Sequence, residues 1–202
     1  MYHRPMNTAS PDVTAFVLAG GKSTRMGKDK AFVMLDGQTL LDRMLNVARS
    51  VAAGVLIVGD RAKFSPFAPV VEDVFPGCGP LAGIHAALRS SQTDLNLILA
   101  VDVPFLSSAF LEFLIARSRE STAIVTVVRI GKGWQPLSAV YRRDFADAAE
   151  EALRAGRYKI DTLFKSSQVD VIQEGDMRTA GFSNNMFRNL NNPEELADAG
   201  SH

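Results

Sequence analysis

The sequence has a single cysteine, Cys78, in 202 residues. A disulfide framework within the chain is therefore excluded, and a reducing compartment, the cytoplasm, is expected. No histidine or asparagine pattern surrounds Cys78, so it reads as an ordinary loop residue rather than a catalytic thiol. Histidine is scarce too: His3 and His202 lie near the ends, and His85 falls in a predicted helix. No His/Cys cluster has the spacing of a structural zinc site. Neither sign of charge dominates, since 22 Lys+Arg balance 22 Asp+Glu. Without a basic excess, general affinity for nucleic acid or an anionic membrane is not expected. No apolar run approaches the ~18 residues of a membrane span. The opening MYHRPMNTASPD lacks the apolar segment of a secretory signal, and residues 1–12 read as a loose tail. Repeats, low-complexity tracts and linkers are missing too, so residues 13–199 read as one domain.

What is present is a 47% hydrophobic chain, enough for a real core, patterned in short alternating segments. Val13–Ala19 is a continuous apolar run of the kind that forms a buried strand, and Gly54–Gly59, Pro69–Asp73, Leu95–Val101 and Ala123–Val128 read as further strands. Another short apolar run, Ala31–Leu35, ends in the turn pair Asp36-Gly37. Helices are predicted between the strands: one opened by Thr39 with Asp42 at the capping-box offset, then from about Leu81 to Arg89, Ser108 to Arg117 and Arg143 to Ala155. Ile130–Trp134 reads as a tight loop before a strand over Gln135–Tyr141, and Gln168–Ile172 as a late strand. Asn192-Pro193-Glu194-Glu195 has the cap, first-turn proline and acids of a last helix. The pattern predicts an α/β fold: a three-layer sandwich around a mostly parallel, Rossmann-like sheet, with one or two antiparallel strands in the C-terminal half.

The chemistry gathers at the end of the first strand, in FVLAGGKSTRMGKDK. Four cations, Lys22, Arg25, Lys28 and Lys30, stand there against one acid, Asp29. Two phosphate-loop fingerprints fail by counting. Gly21-Lys22-Ser23 fits the end of a P-loop, but Phe16 stands where its first glycine belongs. Gly20 is followed by Lys22 and Arg25 where a dinucleotide fingerprint needs glycines. The physics still favours an anion site over a solvated turn. Gly20 and Gly21 let backbone N–H groups approach a ligand, Arg25 can fork onto phosphate oxygens, and Lys30 can act as a point charge. Asp102 follows an apolar strand and should lie at the carboxyl edge of the sheet. There it suits Mg²⁺, which takes few protein carboxylates, or it caps a turn before Pro104. Gly77, Gly79, Pro80 and Gly83 shape a loop entering a helix, whose amino end could face a ligand. Asn189 and Asn191, two apart, would face the same side of an extended segment. Arg157 and Lys159 could hold the phosphate of a second substrate or form a solvated loop. Asp73 by itself reads as a loop acid.

The segment LAGGKSTRMGKDK (Leu18–Lys30) resembles the signature loop of molybdenum cofactor guanylyltransferases, within the wider nucleotidyltransferase superfamily. The resemblance continues in order through EDVFPGCGPLAGI (Glu72–Ile84), DVPF (Asp102–Phe105), QPLSAVY (Gln135–Tyr141) and NLNNPEEL (Asn189–Leu196), covering roughly Val13 to Ala197. It implies a nucleotidyltransferase domain over 13–199 and transfer of GMP from GTP to the phosphate of molybdopterin or Mo-molybdopterin, with Mg²⁺ as cofactor. Nucleotide contacts are implied for Leu18, Gly20, Gly21 and Lys30, and membership of the site for Arg25, Asp73, Gly79 and Asp102. The family places its paired asparagines, here Asn189 and Asn191, near the phosphates or the metal. Arg25, Lys30 and Asp102 are then the expected catalytic residues, and Asp102 the metal ligand. Carrier or acceptor proteins for the labile product are possible partners of such an enzyme.

Alternatives remain open at this point. Cytidylyl transfer to the same pterin would change only the base, although the loop reads Ala-Gly-Gly where the cytidylyl branch tends to have Ala-Ala-Gly. A sugar 1-phosphate acceptor needs similar charge chemistry. A nucleotide-binding regulator without turnover would not need Lys30 and Asp102 intact. A dehydrogenase is disfavoured by the failed glycine count.

Overall fold

The computed structural model describes residues 9–20, 29–164 and 168–190. Its centre is a seven-stranded sheet in the order β5-β4-β1-β6-β8-β7-β9. The strands are β1 (Ser10–Leu18), β4 (Ala52–Val58), β5 (Val70–Val71), β6 (Leu95–Ala100), β7 (Val125–Ile130), β8 (Gly133–Arg142) and β9 (Val169–Gln173). The short strands β2 (Met34–Leu35) and β3 (Gln38–Thr39) form a separate antiparallel hairpin, turned by Asp36 and Gly37 at φ 51° and 79°. The long helices are α1 (Leu40–Val51), α3 (Pro80–Ser90), α4 (Ser108–Glu120) and α5 (Phe145–Arg154); α2 (Arg61–Phe64) and α6 (Glu174–Thr179) are short.

Period-two alternation makes the three layers. Val13, Ala15 and Val17 of β1 enter one core with Leu41, Met44 and Leu45 of α1 and Leu111 and Leu114 of α4. Phe16 and Leu18 enter the opposite core with Leu81, Ile84 and Leu88 of α3 and Ala149 and Leu153 of α5. Successive side chains of a strand point to opposite faces, so a strand covered on both faces must be apolar throughout. β6 comes close to this: every residue from Leu95 to Ala100 is buried, and its one polar side chain, Asn96, donates to the carbonyls of Asp94 and Tyr141 at 2.9 and 3.3 Å.

Among the seven strands only β8 runs against the rest, antiparallel to both β6 and β7. The turn Gly131-Lys132 joins β7 to β8, so the predicted loop and strand form one hairpin. Pro136 sits within β8, where the ladder to β7 is irregular between Val127 and Arg129. A proline has no N–H to give a ladder, and a bulge removes the need for one. The Pro136 carbonyl accepts instead from the Tyr141 hydroxyl at 2.8 Å.

Two boundaries differ from the pattern. β1 begins at Ser10, and Asp12 is fastened by a forked pair with Arg119, so residues 10–12 belong to the strand rather than to a tail. The run Ala31–Leu35 divides into a 3₁₀ turn, Lys30–Phe32, and the two residues of β2. The helix predicted from Asn192 lies outside the described residues.

Candidate functional site

Parallel strands end together, so four loops converge on one edge of the sheet. Across that edge the order is β5, β4, β1, β6. Main-chain bonds lock the ends: Gly59 N–H donates to Val71 O at 3.1 Å, Ala19 N–H to Val58 O at 3.1 Å, and Val101 N–H to Leu18 O at 3.3 Å. Gly20 lies against Gly59, with space for only ordinary contact to its Cα. This is the carboxyl edge, where ligands of open α/β sheets bind.

Lys30 and Asp102, far apart in sequence, meet here. Lys30 Nζ donates to Asp102 Oδ2 at 3.4 Å, with 22% and 27% of the two side chains exposed. The contact is long for a charge-assisted hydrogen bond, which prefers about 2.7–2.9 Å. Such a pair is reachable by solvent and open to a phosphate oxygen. Lys30 is presented by its 3₁₀ turn, which Asp29 caps by accepting from Ala31 N–H at 3.0 Å. Asp102 is presented by the turn after β6, where Val103 N–H donates to Ala100 O at 3.4 Å.

Leu190 N–H donates to Asp102 O at 3.1 Å and its side chain is buried. That bond carries exposed Asn189 to the same corner. Gly79 caps α3 at φ 74°, a conformation that favours glycine, and Pro80 fills the first helical position. Gly83 brings α3 close to β1: a Cβ there would lie 3.2 Å from Leu18 Cδ2. Leu18 is thus spent on packing, and a ligand contact from it would come through its main chain.

Asp73 lies beyond β5, three strands from Asp102, or roughly 14 Å at the usual strand spacing. Its Oδ1 accepts from Phe75 N–H at 2.9 Å. Burial pushes its carboxyl above the usual range, against the opposing pull of that hydrogen bond. The structure therefore brings Lys30, Asp102, Gly20 and Asn189 to one corner and sets Asp73 at the far end of the same edge. Gly21, Arg25 and Asn191 lie outside the described residues.

The sequence did not point to two further features. The neighbouring Cys78 thiol raises the pKa of Tyr158 above the ordinary phenol value, which makes Cys78 of the glycine-rich loop a neighbour of the turn residue between Arg157 and Lys159. Arg157 and Lys159 each pair with a nearby acid, Glu151 and Asp161, both at 3.2 Å. Lys63 of α2 pairs with Asp29. The acid Asp60 three residues before Lys63 is a usable cap signal for α2, but a four-residue helix has no periodicity to confirm it.

A family model for the MobA-like NTP transferase domain matches residues 15–171. The chain belongs to the MobA-like NTP transferase family. A molybdenum cofactor guanylyltransferase of Desulfosudis oleivorans is 35% identical over 93% of this chain and 94% of its own. A probable one from Pelotomaculum thermopropionicum is 34% identical over 92% and 91%. The crystal structure of molybdopterin-guanine dinucleotide biosynthesis protein A from Archaeoglobus fulgidus superposes with a TM-score of 0.80 at 27% identity, covering 93% of this chain and 96% of that one. The α/β sandwich and the nucleotidyltransferase assignment implied by the signature segments agree with these matches.

Proposed function

We propose that the chain transfers GMP from GTP to the phosphate of molybdopterin, releasing pyrophosphate and forming the guanine dinucleotide cofactor. The observation that carries this reading is the Lys30–Asp102 pair, 3.4 Å apart at the carboxyl edge of a sheet of this family. The names of the similar proteins supply the base and the acceptor.

The acceptor phosphate is already ionised near neutral pH, its second pKa being about 6, so no side-chain nucleophile is required. Its oxygen attacks the α-phosphorus in line. A new P–O bond forms there, the bond to the β-phosphate oxygen breaks, and pyrophosphate leaves with the electron pair. The chain's work is orientation and charge stabilisation. Lys30 donates to the phosphate oxygens, and Arg25 adds a second cation to the leaving group. The N–H groups around Gly20 and Gly21 hold the triphosphate; Asn189 bounds the corner beside Asp102, and Asn191 is assigned to the same phosphates by the family resemblance alone. Gly79 and the amino end of α3 close the opposite wall. Asp73 receives N–H groups of the guanine ring or a ribose hydroxyl, and its distance from Asp102 suits an extended nucleotide.

A magnesium site at Asp102 is compatible with the donors present. No group of three or more His, Cys, Asp or Glu side chains is placed to hold a metal among the described residues. Mg²⁺ does not need one, since it is bound through one or two carboxylates together with water and substrate phosphates. When bound, it would supply neutralisation of the phosphate oxygens. The enzyme in this reading works in the cytoplasm and hands its product to carrier or acceptor proteins, using neither nucleic acid nor membrane.

Pyrophosphate release with purified molybdopterin, Mg²⁺ and either GTP or CTP tests the proposal. Release with GTP, and little with CTP, is expected. Equal use of CTP would move the reading to the cytidylyl alternative. Tight GTP binding without pyrophosphate would favour a regulator.

A further inference from the structure

We propose that Lys63 is a positioning residue for the transfer: its ammonium holds Asp29, and through Asp29 it fixes the turn that aims Lys30 at Asp102. The inference rests on the functional reading above. It concerns a residue outside the signature segments.

Asp29 is engaged through both oxygens. Oδ1 accepts from Ala31 N–H at 3.0 Å, and Oδ2 pairs with Lys63 Nζ. The main chain closes the same turn, with Phe32 N–H on Asp29 O at 3.0 Å and Val33 N–H on Lys30 O at 3.1 Å. A capping carboxylate that could rotate freely would leave this single 3₁₀ turn weakly specified. Pairing with Lys63 removes that freedom.

Lys63 is itself held. Its Nζ lies 5.5 Å from the centre of the Phe32 ring and 5.1 Å from that of Phe64. Such contacts favour a cation by about 0.5–1 kcal/mol at an exposed site. The two rings stack with centres 6.0 Å apart, so the cation bridges α2 to the turn. Phe64 is buried and seated on Gly59, where a Cβ would come within 2.9 Å of its ring. Asp60 O accepts from Phe64 N–H at 3.0 Å, and Asp60 Oδ1 from Lys63 N–H at 3.3 Å. A continuous chain of contacts thus runs from the end of β4 through Lys63 and Asp29 to Lys30. It also accounts for the large exposed ring of Phe32, which is 37% accessible yet paired with a cation.

Because Lys63 is neutralised by Asp29, its predicted contribution is through Lys30 and not by contact with phosphate. Steady-state kinetics of pyrophosphate release from GTP, Mg²⁺ and molybdopterin can separate the two. Lys63→Met, Asp29→Asn and the double variant are compared in the wild-type and Lys30→Ala backgrounds. A modest misplacement should lower kcat about tenfold, below the ~100-fold that 1 Å can cost, with KM for GTP little changed. The double variant should lose no more than either single one, and Lys63→Arg should recover most of the rate. In the Lys30→Ala background Lys63→Met should cause no further loss. A loss of the same size in that background would overturn the proposal, as would wild-type turnover in Lys63→Met. A second measurement does not depend on turnover. After reductive ¹³C-methylation, the Lys30 signal, assigned with Lys30→Arg, should move to the position of exposed lysines in Lys63→Met. An unmoved signal contradicts the proposal, whatever nucleotide the enzyme proves to use.

Discussion

The two edges of the central sheet handle charge in opposite ways. At the amino edge, arginines are tied to acids by short, forked bonds. Arg119 holds Asp12 at 2.6 and 3.0 Å, and Arg117 holds Asp170 at 2.8 and 2.9 Å. Arg142, at the end of antiparallel β8, pairs with Asp94 and also donates to the carbonyls of Ala123, Ser118 and Ser121. At the carboxyl edge, Lys30 meets Asp102 through one contact of 3.4 Å. The guanidinium fork suits a fixed partner, and the lysine suits one that is exchanged. Forked arginine pairs fasten the amino edge, while the Lys30–Asp102 contact at the carboxyl edge is longer and made by a single nitrogen.

That contrast can be broken by substitution. The largest effect is expected at Asp102. Asp102→Ala should lower turnover on the order of 1,000-fold, the equivalent of several kcal/mol of lost charge stabilisation, while thermal unfolding stays near wild type. Lys30→Ala should cost about 100-fold, measured in the same pyrophosphate assay. At the amino edge the pattern should invert. Arg142→Ala leaves carbonyls without their donor and should lower unfolding stability by roughly 1–3 kcal/mol in denaturant titration, with kcat retained. Arg119→Ala, at a more exposed pair, should cost less than about 1 kcal/mol.

A smaller and purely pH-dependent effect sharpens the comparison. Arg154 foremost, then Arg89 and His85, hold the Glu150 carboxyl down at about 2, from an ordinary 4.5. A depressed carboxyl stabilises the fold above its unfolded pKa. The contribution should therefore be intact above about pH 4.5 and fade as pH falls toward 2. Glu150→Gln should flatten the stability profile in that window and leave turnover at neutral pH unchanged.

The sequence was most readable where burial is two-sided. Runs such as Leu95–Val101 have no other use than a central strand, and Asp102 at the end of one could be placed at the correct edge before any coordinates. The Thr39 cap was equally clear from Asp42 three residues on: Asp42 N–H donates to Thr39 Oγ1 at 3.0 Å, and the Thr39 hydroxyl donates to Asp42 Oδ2 at 2.7 Å. Short elements were not legible. α2 and the turn at Lys30 are each less than two helical turns long, so no apolar period can form. Their geometry comes from long-range partners, Lys63 with Asp29 and Phe64 with Gly59, which no local pattern encodes. The start of β1 was misplaced for a related reason: Asp12 is polar, and only Arg119, distant in the chain, makes it a strand residue. The sequence places Lys30 and Asp102 together at the rim of the sheet, but not in direct contact. That they touch is a property of the topology, through adjacent strands β1 and β6.

A crystal structure with a non-hydrolysable GTP analogue and Mg²⁺ would test the central claim most directly. The account predicts the triphosphate beyond the ends of β1 and β6, with Lys30 Nζ within hydrogen-bond reach of a phosphate oxygen and Asp102 beside the metal. Phosphates bound at any other edge, with the Lys30–Asp102 contact undisturbed, would contradict it.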